Sequence, residues 1–315
     1  MKIKIKQLVL FLLGPVILAG CAGRENEPDV NARKQSPEFT AAIGDTPTRA
    51  FDRQWESGDE IGISGASGTN VCHLTKEGDG RFTVKTLGEE IYFQDDEEVV
   101  FTAYYPWNSL GEEAAVEADL RMQARQKSFD FLWAQSAGKK ASPRVKFSFT
   151  HRMAKVALTV RPGDGVSYEE LKAAVLSLEG FRHKGSFNIS DGKIAVENVK
   201  TDAWEFAGNE NIDCNAPAIY EDEKGTVTYP LILFPQDLDA PLPFFAELPG
   251  GLILKTKLDF TAANSEKDGP QARNEWIAGR QYNLTVTLHK TGISLDRCTI
   301  APWSEVNGGN INAEQ

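Results

Sequence analysis

Histidine and cysteine are scarce, at four each in 315 residues. His73, His151, His183 and His289 are scattered without a His-x-x-x-His pair, and no CxxC occurs, so the spacing that builds a metal site is missing. A Gly-Lys-Ser phosphate loop is also absent. The stretch "GISGASG" falls short of a Gly-x-Ser-x-Gly elbow, because Ala66 stands two after Ser64 and Thr69 two after Ser67. Basic residues are outnumbered 34 to 45, a net charge of −11 that argues against nucleic acid as a partner. Carboxylate pairs such as Asp95 with Asp96, or Asp237 with Asp239, read in so acidic a chain as solvated turn residues rather than a glycosidase pair. These absences lead us to expect no catalytic site, no cofactor and no metal.

The chain opens on an apolar run, "LVLFLLGPVILAGC", that stops at Cys21. Lys2, Lys4 and Lys6 precede about a dozen apolar residues, too short for a spanning helix and right for an export signal over residues 1–20. Leu18-Ala19-Gly20-Cys21 resembles a bacterial lipobox, so Cys21 is the expected lipidation site and anchors the chain to a membrane surface. Without the three signal lysines the net charge is about −14. Cys72, Cys214 and Cys298 are odd in number and far apart, which gives no disulfide framework. Unpaired buried thiols are the expectation, with room for one pair.

Residues 21–36 are polar and free of aromatic side chains, which reads as a flexible tether. Beyond them, short runs rich in Val, Ile, Phe and Tyr alternate with Gly, Asp and Asn, the signature of an all-β chain. Hairpin turns are expected at Gly78-Asp79-Gly80 and at Asp191-Gly192. Helix is scarce. "SYEELKAAVLSLEGF" carries a capping box in Ser167 and Glu170 and predicts a helical turn feeding a strand. "LGEEAAVEADLRMQARQ" favours helix on propensity, with loop and strand as the alternative. The length beyond the tether exceeds one sandwich, so two domains are expected, 37–143 and 144–315, with the seam near Pro143.

An ordered set of short motifs carries a resemblance. "WESGDEIGI" (Trp55, Gly58, Asp59, Ile61, Gly62), "FTAYYPW" (101–107), Gln126 followed by "DFLWA" (130–134), and "FTHRMAKV" (Phe149, His151, Met153, Lys155) come in turn. "EWIAGRQYNLTVTL" (Trp276, Gly279, Tyr282) and "CTIAPW" (Ile300, Trp303) close the series. Together they resemble the Bacteroidales fimbrillin family in its Mfa-like branch, over residues 36 to 305. The resemblance implies a type V pilus subunit: an exported lipoprotein of two tandem transthyretin-like β-sandwich domains, exposed on the outer membrane. It further implies trimming by an arginine-specific protease and joining to other fimbrial subunits by strand exchange.

The residues supply candidates for each step. "EFTAAIG" alternates Phe39, Ala41 and Ile43 against polar or small neighbours, the period of a half-buried strand. Arg49-Ala50 follows in an irregular segment, with Arg33 and Arg53 as competing cleavage points. Cutting there would free both the lipid anchor and the strand, leaving a groove that a strand from another subunit can fill. The C-terminal segment is the candidate donor, with Ile293, Leu295, Ile300, Val306 and Ile311 as its pocket residues. Its last twelve residues are rich in Gly and Asn, which suits a tip or accessory subunit better than a stalk subunit, with an anchor that stays lipidated as a further alternative. A host protein or glycan is a candidate receptor. The alternative reading is a surface carbohydrate-binding lipoprotein that never polymerises. Trp55, Trp133, Trp276 and Trp303, like His151, are expected to pack rather than to bind.

Overall fold

Most strands of this protein alternate large apolar with polar residues, and that period decides which face turns inward. The computed structural model describes residues 34–44, 54–110, 114–268 and 272–303. Two units divide between Lys34 and Gln35, and every described strand and helix lies in the second. The chain is nearly all β, as expected.

In chain order the first eight strands are β1 (Glu38–Ile43), β2 (Glu60–Gly65), β3 (Gly68–Leu74), β4 (Arg81–Val84), β5 (Val99–Tyr105), β6 (Ala115–Asp119), β7 (Leu132–Gly138) and β8 (Arg144–His151). All but β6 close into a barrel in the order β1-β4-β3-β2-β5-β7-β8, sealed where β8 runs parallel to β1. In β8, Val145, Phe147 and Phe149 point inward while Arg144, Lys146 and Ser148 face water. They join Phe39, Ile61, Ile63, Phe82 and Phe101 in the first core. β8, which begins just after Pro143, completes this barrel.

After His151 come β9 (Ala154–Pro162), α1 (Tyr168–Lys172), β10 (Val175–Leu178), β11 (Lys184–Asn188), β12 (Ile194–Val196), β13 (Trp204–Ala207), β14 (Ile219–Glu221) and β15 (Thr226–Leu233). Next are β16 (Gln236–Asp237), β17 (Leu242–Leu248), β18 (Leu252–Leu258), α2 (Thr261–Asp268), β19 (Glu275–Trp276), β20 (Arg280–His289) and β21 (Gly292–Pro302). A five-stranded sheet, β14-β15-β9-β20-β21, and a four-stranded sheet, β13-β10-β17-β18, share a second core with Leu158, Leu176, Phe206, Phe244 and Leu284 among its members. The two hairpins expected from glycine turns form as β3 with β4 and β11 with β12. The capping box forms too: Ser167 accepts from the Glu170 amide, and the Glu170 carboxylate accepts from the Ser167 amide.

Residues 114–131 follow the strand and loop alternative rather than the helix that propensity favours. β6 leaves the barrel's sequence and pairs antiparallel with β11, and 3-10 turns run from Gln123 to Ser128. Tertiary contacts override propensity here, since Val116, Leu120, Phe129 and Phe131 are buried in the second core. Gln123 is fully buried: its Nε2 donates to the carbonyls of Leu120 and Ile232, and its Oε1 accepts from the Ile232 amide at 3.1 Å. Gln126 Nε2 donates to the Pro230 carbonyl, so this segment is sewn to β15 by side-chain amides.

Asp119 anchors the other end of the segment. Its carboxylate accepts from Arg121 and, at 2.9 Å, from Nδ1 of the buried His183. Burial alone would push this carboxyl up, but the Arg121 and His183 hydrogen bonds outweigh it and hold the group at about 2. A carboxyl depressed below its ordinary 3.8 stabilises the fold fully above that value, and the contribution is lost as pH falls toward 2. We expect Asp119→Asn to cost on the order of 1–2 kcal/mol at pH 6 and to flatten the loss of stability between pH 4 and 2. Urea unfolding at pH 6 and pH 2.5 checks this; an acid limb equal in variant and native chain would rule Asp119 out as its source.

Candidate functional site

β1 occupies the residues that its alternation marked out, with Phe39, Ala41 and Ile43 inside and Glu38, Thr40 and Ala42 facing water. The Phe39 ring meets His73 and Phe101 edge-on at 5.1 and 5.4 Å and stacks on Phe147 at 5.8 Å. Ala41 is fixed at both backbone groups: its N–H donates to the Gly80 carbonyl at 2.8 Å, and its carbonyl accepts from Trp55 Nε1 at 2.9 Å. Gly80 must be glycine at this approach, because its φ is +78° and an added Cβ would stand 2.4 Å from the Ala41 oxygen.

The two neighbours of β1 hold it unequally. With β8 the register is continuous, from Glu38 opposite Arg144 to Ile43 opposite Phe149, and the Glu38 and Gly44 amides extend it to the carbonyls of Pro143 and Phe149. With β4 only Phe39 opposite Phe82 and Thr40 opposite Arg81 are paired. The β4 side is the weaker seam. The exposed Glu38–Arg144 ion pair at 3.4 Å adds little.

The candidate donor strand lies at the edge of the five-stranded sheet, antiparallel to β20 along its whole length. Ile293 stands opposite Leu288, Leu295 opposite Val286, Cys298 opposite Leu284 and Ile300 opposite Tyr282. Those β20 residues face the second core, so the four β21 side chains share its side of the sheet. Ile293 and Ile300 pack against that core, whereas Leu295 is 39 % exposed. Cys21, Arg49, Ala50, Val306 and Ile311 lie outside the described residues. No disulfide joins Cys72, Cys214 and Cys298. Burial, with Glu60 nearby, pushes the Cys72 thiol up to about 12, which keeps it protonated and unreactive.

Just past β21, Trp303 is buried and stacks on His151, at the end of β8, with ring centroids 4.0 Å apart and planes within 5°. His151 Nδ1 lies 2.8 Å from Asp130, and Lys155 Nζ lies 5.9 Å from the Trp303 ring. His151 Nε2 and Trp303 Nε1 are buried without a hydrogen-bond partner. A cleft of about 440 Å³ opens beside them, lined also by Ile43, Trp55, Asp59 and Tyr105. The end of β1 and the residue just past β21 therefore border one cleft. Sequence reasoning placed His151 and Trp303 in separate motifs as packing residues and missed that they touch; nothing in their spacing signals it.

The chemistry of this cleft is that of packing. Burial, reinforced by Asp59 and Asp130, raises the Tyr105 phenol well above its ordinary range, and its hydroxyl donates to Asp59 at 3.2 Å. It stays a donor rather than becoming a nucleophile. Among the described residues no group of three or more His, Cys, Asp or Glu side chains gathers as a metal site.

Comparison with known proteins adds the family to this geometry. A profile described as fimbrillin-like matches residues 48–303. A candidate fimbrium subunit of Bacteroides uniformis, Fim1C, is 26% identical over 320 residues, covering 97% of each chain. Among solved structures, a candidate cell adhesion protein of Bacteroides uniformis superposes with a TM-score of 0.65 at 22% identity, over 85% of this chain and 98% of that one. Another from Bacteroides ovatus gives 0.66 at 20% identity, over 87% and 99%. These two likenesses establish the fold.

Proposed function

Since the chain belongs to the fimbrillin-like family, we propose that it is a surface-exposed fimbrial subunit that works in adhesion, exported as a lipoprotein precursor and assembled by strand exchange. Cys21 carries the lipid and holds the precursor at the outer membrane. An arginine-specific protease cuts between Arg49 and Ala50, which severs β1 from the rest of the barrel. β1 then leaves, and the C-terminal strand of another subunit, self or accessory, takes its groove. In this reading the two cores are variants of tandem transthyretin-like sandwiches, with the seam after β8.

The observation that carries the proposal is β1 itself. It is the first described strand, it ends six residues before Arg49, and it fills the first core with alternate side chains. Its loss would bare the backbone of β8 along six residues and the pockets of Phe39, Ala41 and Ile43. Unpaired strand edges and emptied pockets are what strand addition repairs. The packed state of Trp55, Trp276 and Trp303 supports this over a glycan-binding face.

The test is limited digestion of the purified precursor with an arginine-specific protease, followed by N-terminal sequencing and an unboiled denaturing gel. A new N-terminus at Ala50 with a ladder of stable multimers is expected for a self-assembling subunit. Cleavage at Ala50 with monomers alone points to an accessory subunit that needs a different partner. Resistance at Arg49 would sink the processing step.

A further inference from the structure

β21 is not a plain edge strand. Thr285 stands opposite Arg297 and Val286 opposite Leu295, so Asp296 is an extra residue, bulged out of the ladder. Side chains alternate along a strand, so Ile293 and Leu295 would lie on one face and Cys298 and Ile300 on the other if the strand were regular. The bulge sets both pairs opposite core-facing residues of β20, and Ile293, Cys298 and Ile300 pack against the core while Leu295 stays exposed. It also interrupts the free edge of the sheet, a common protection against unwanted pairing.

The bulged carboxylate is held from three directions. Thr287 Oγ donates to Asp296 Oδ2 at 2.6 Å, Arg161 Nη2 reaches the same oxygen at 3.1 Å, and Ser294 Oγ donates to Oδ1 at 3.3 Å. Arg161 Nε also donates to Thr287 Oγ at 2.6 Å. Arg161 lies on β9 opposite Thr287 of β20, so one polar tie crosses β9, β20 and β21 on the face away from the second core. Charge-assisted bonds to a partly buried carboxylate are the strong members of such a set.

We infer that Asp296, with Thr287 and Arg161, is a latch that keeps β21 paired to its own sheet and in the phase that packs both Ile293 and Ile300 against the second core. The inference rests on the reading of β21 as donor strand. A regular groove accepts one phase, so a strand leaving its sheet must give up the bulge. Asp296 is then the residue whose bonds break when β21 is donated, and it acts by positioning the strand.

Hydrogen exchange of the full precursor tests the latch. Asp296→Ala should speed exchange across residues 292–303 by about tenfold, while β2, residues 60–65, which pairs with neither β21 nor β8, exchanges as in the native chain. Thr287→Val, which keeps the shape and removes the relay hydroxyl, should give a similar rise, and the double variant little more than either alone. Unchanged exchange in 292–303, or a parallel rise in 60–65, would overturn the latch. Multimer formation after proteolysis separates it from the donor reading. Faster exchange in Asp296→Ala with no multimers from native chain or variant keeps the latch and removes the donor role. Multimers from the native chain with unaltered exchange in the variant do the reverse.

Discussion

Phe39→Ala is expected to destabilise the precursor by about 3–5 kcal/mol, the range for truncating a buried aromatic side chain. Phe39 is 5% exposed and is bounded by the rings of His73, Phe101 and Phe147, none of which can follow it without leaving its own strand. The cavity would therefore stay largely open. Thr40→Ala, one residue along on the water face, should change stability by less than about 0.5 kcal/mol, which separates pocket filling from strand propensity. Urea unfolding at constant m-value reads both.

If the chain is cut after Arg49 and assembles as proposed, the same substitution has an opposite effect on assembly. β1 is then a separate peptide held by its side chains and ladder, so losing the Phe39 ring should speed its exit. At about 1.4 kcal/mol per decade, 3 kcal/mol corresponds to roughly a hundredfold faster departure. Multimers should then appear faster from Phe39→Ala precursor than from the native chain at equal extents of cleavage. A variant that is less stable yet no faster to assemble would show that departure of β1 does not limit the process.

How much of this could be read from the residues depends on where the information lies. β1 was legible because six residues with a strict period of two carry their own burial pattern. The helical turn before β10 was legible because a capping box is a local device. The segment 114–131 was not, since its conformation is set by β11 and β15, strands far along the chain, through Val116, Gln123 and Gln126. α2 was missed for a related reason. Its buried Asn264 serves the carbonyls of Arg273 and Glu275, a role that hydrophobic periodicity does not reveal. Ile293, Leu295 and Ile300 were named as pocket residues from their chemistry, but only the bulge at Asp296 explains how residues of odd and even number share a side.

Trp303→Ala is the second large effect we expect, again about 3–5 kcal/mol. The indole is 2% exposed, and its removal enlarges an existing cleft rather than letting the walls close. What makes the site more than packing is where its partner sits. His151 ends β8, and β8 is the strand whose residues Arg144–Phe149 hold β1 in parallel register. The stack therefore joins the end of β21 to the strand that clasps β1. Loss of Trp303 should raise exchange at residues 298–302 and also at the end of β8 and of β1, near Phe149 and Ile43. A double-mutant cycle of His151→Ala and Trp303→Ala should return a coupling of about 1 kcal/mol, in the range of paired aromatic rings. Exchange confined to β21, with no coupling in the cycle, would mean that the two strands are released independently; the expected result means that opening the C-terminal end loosens the clasp on β1.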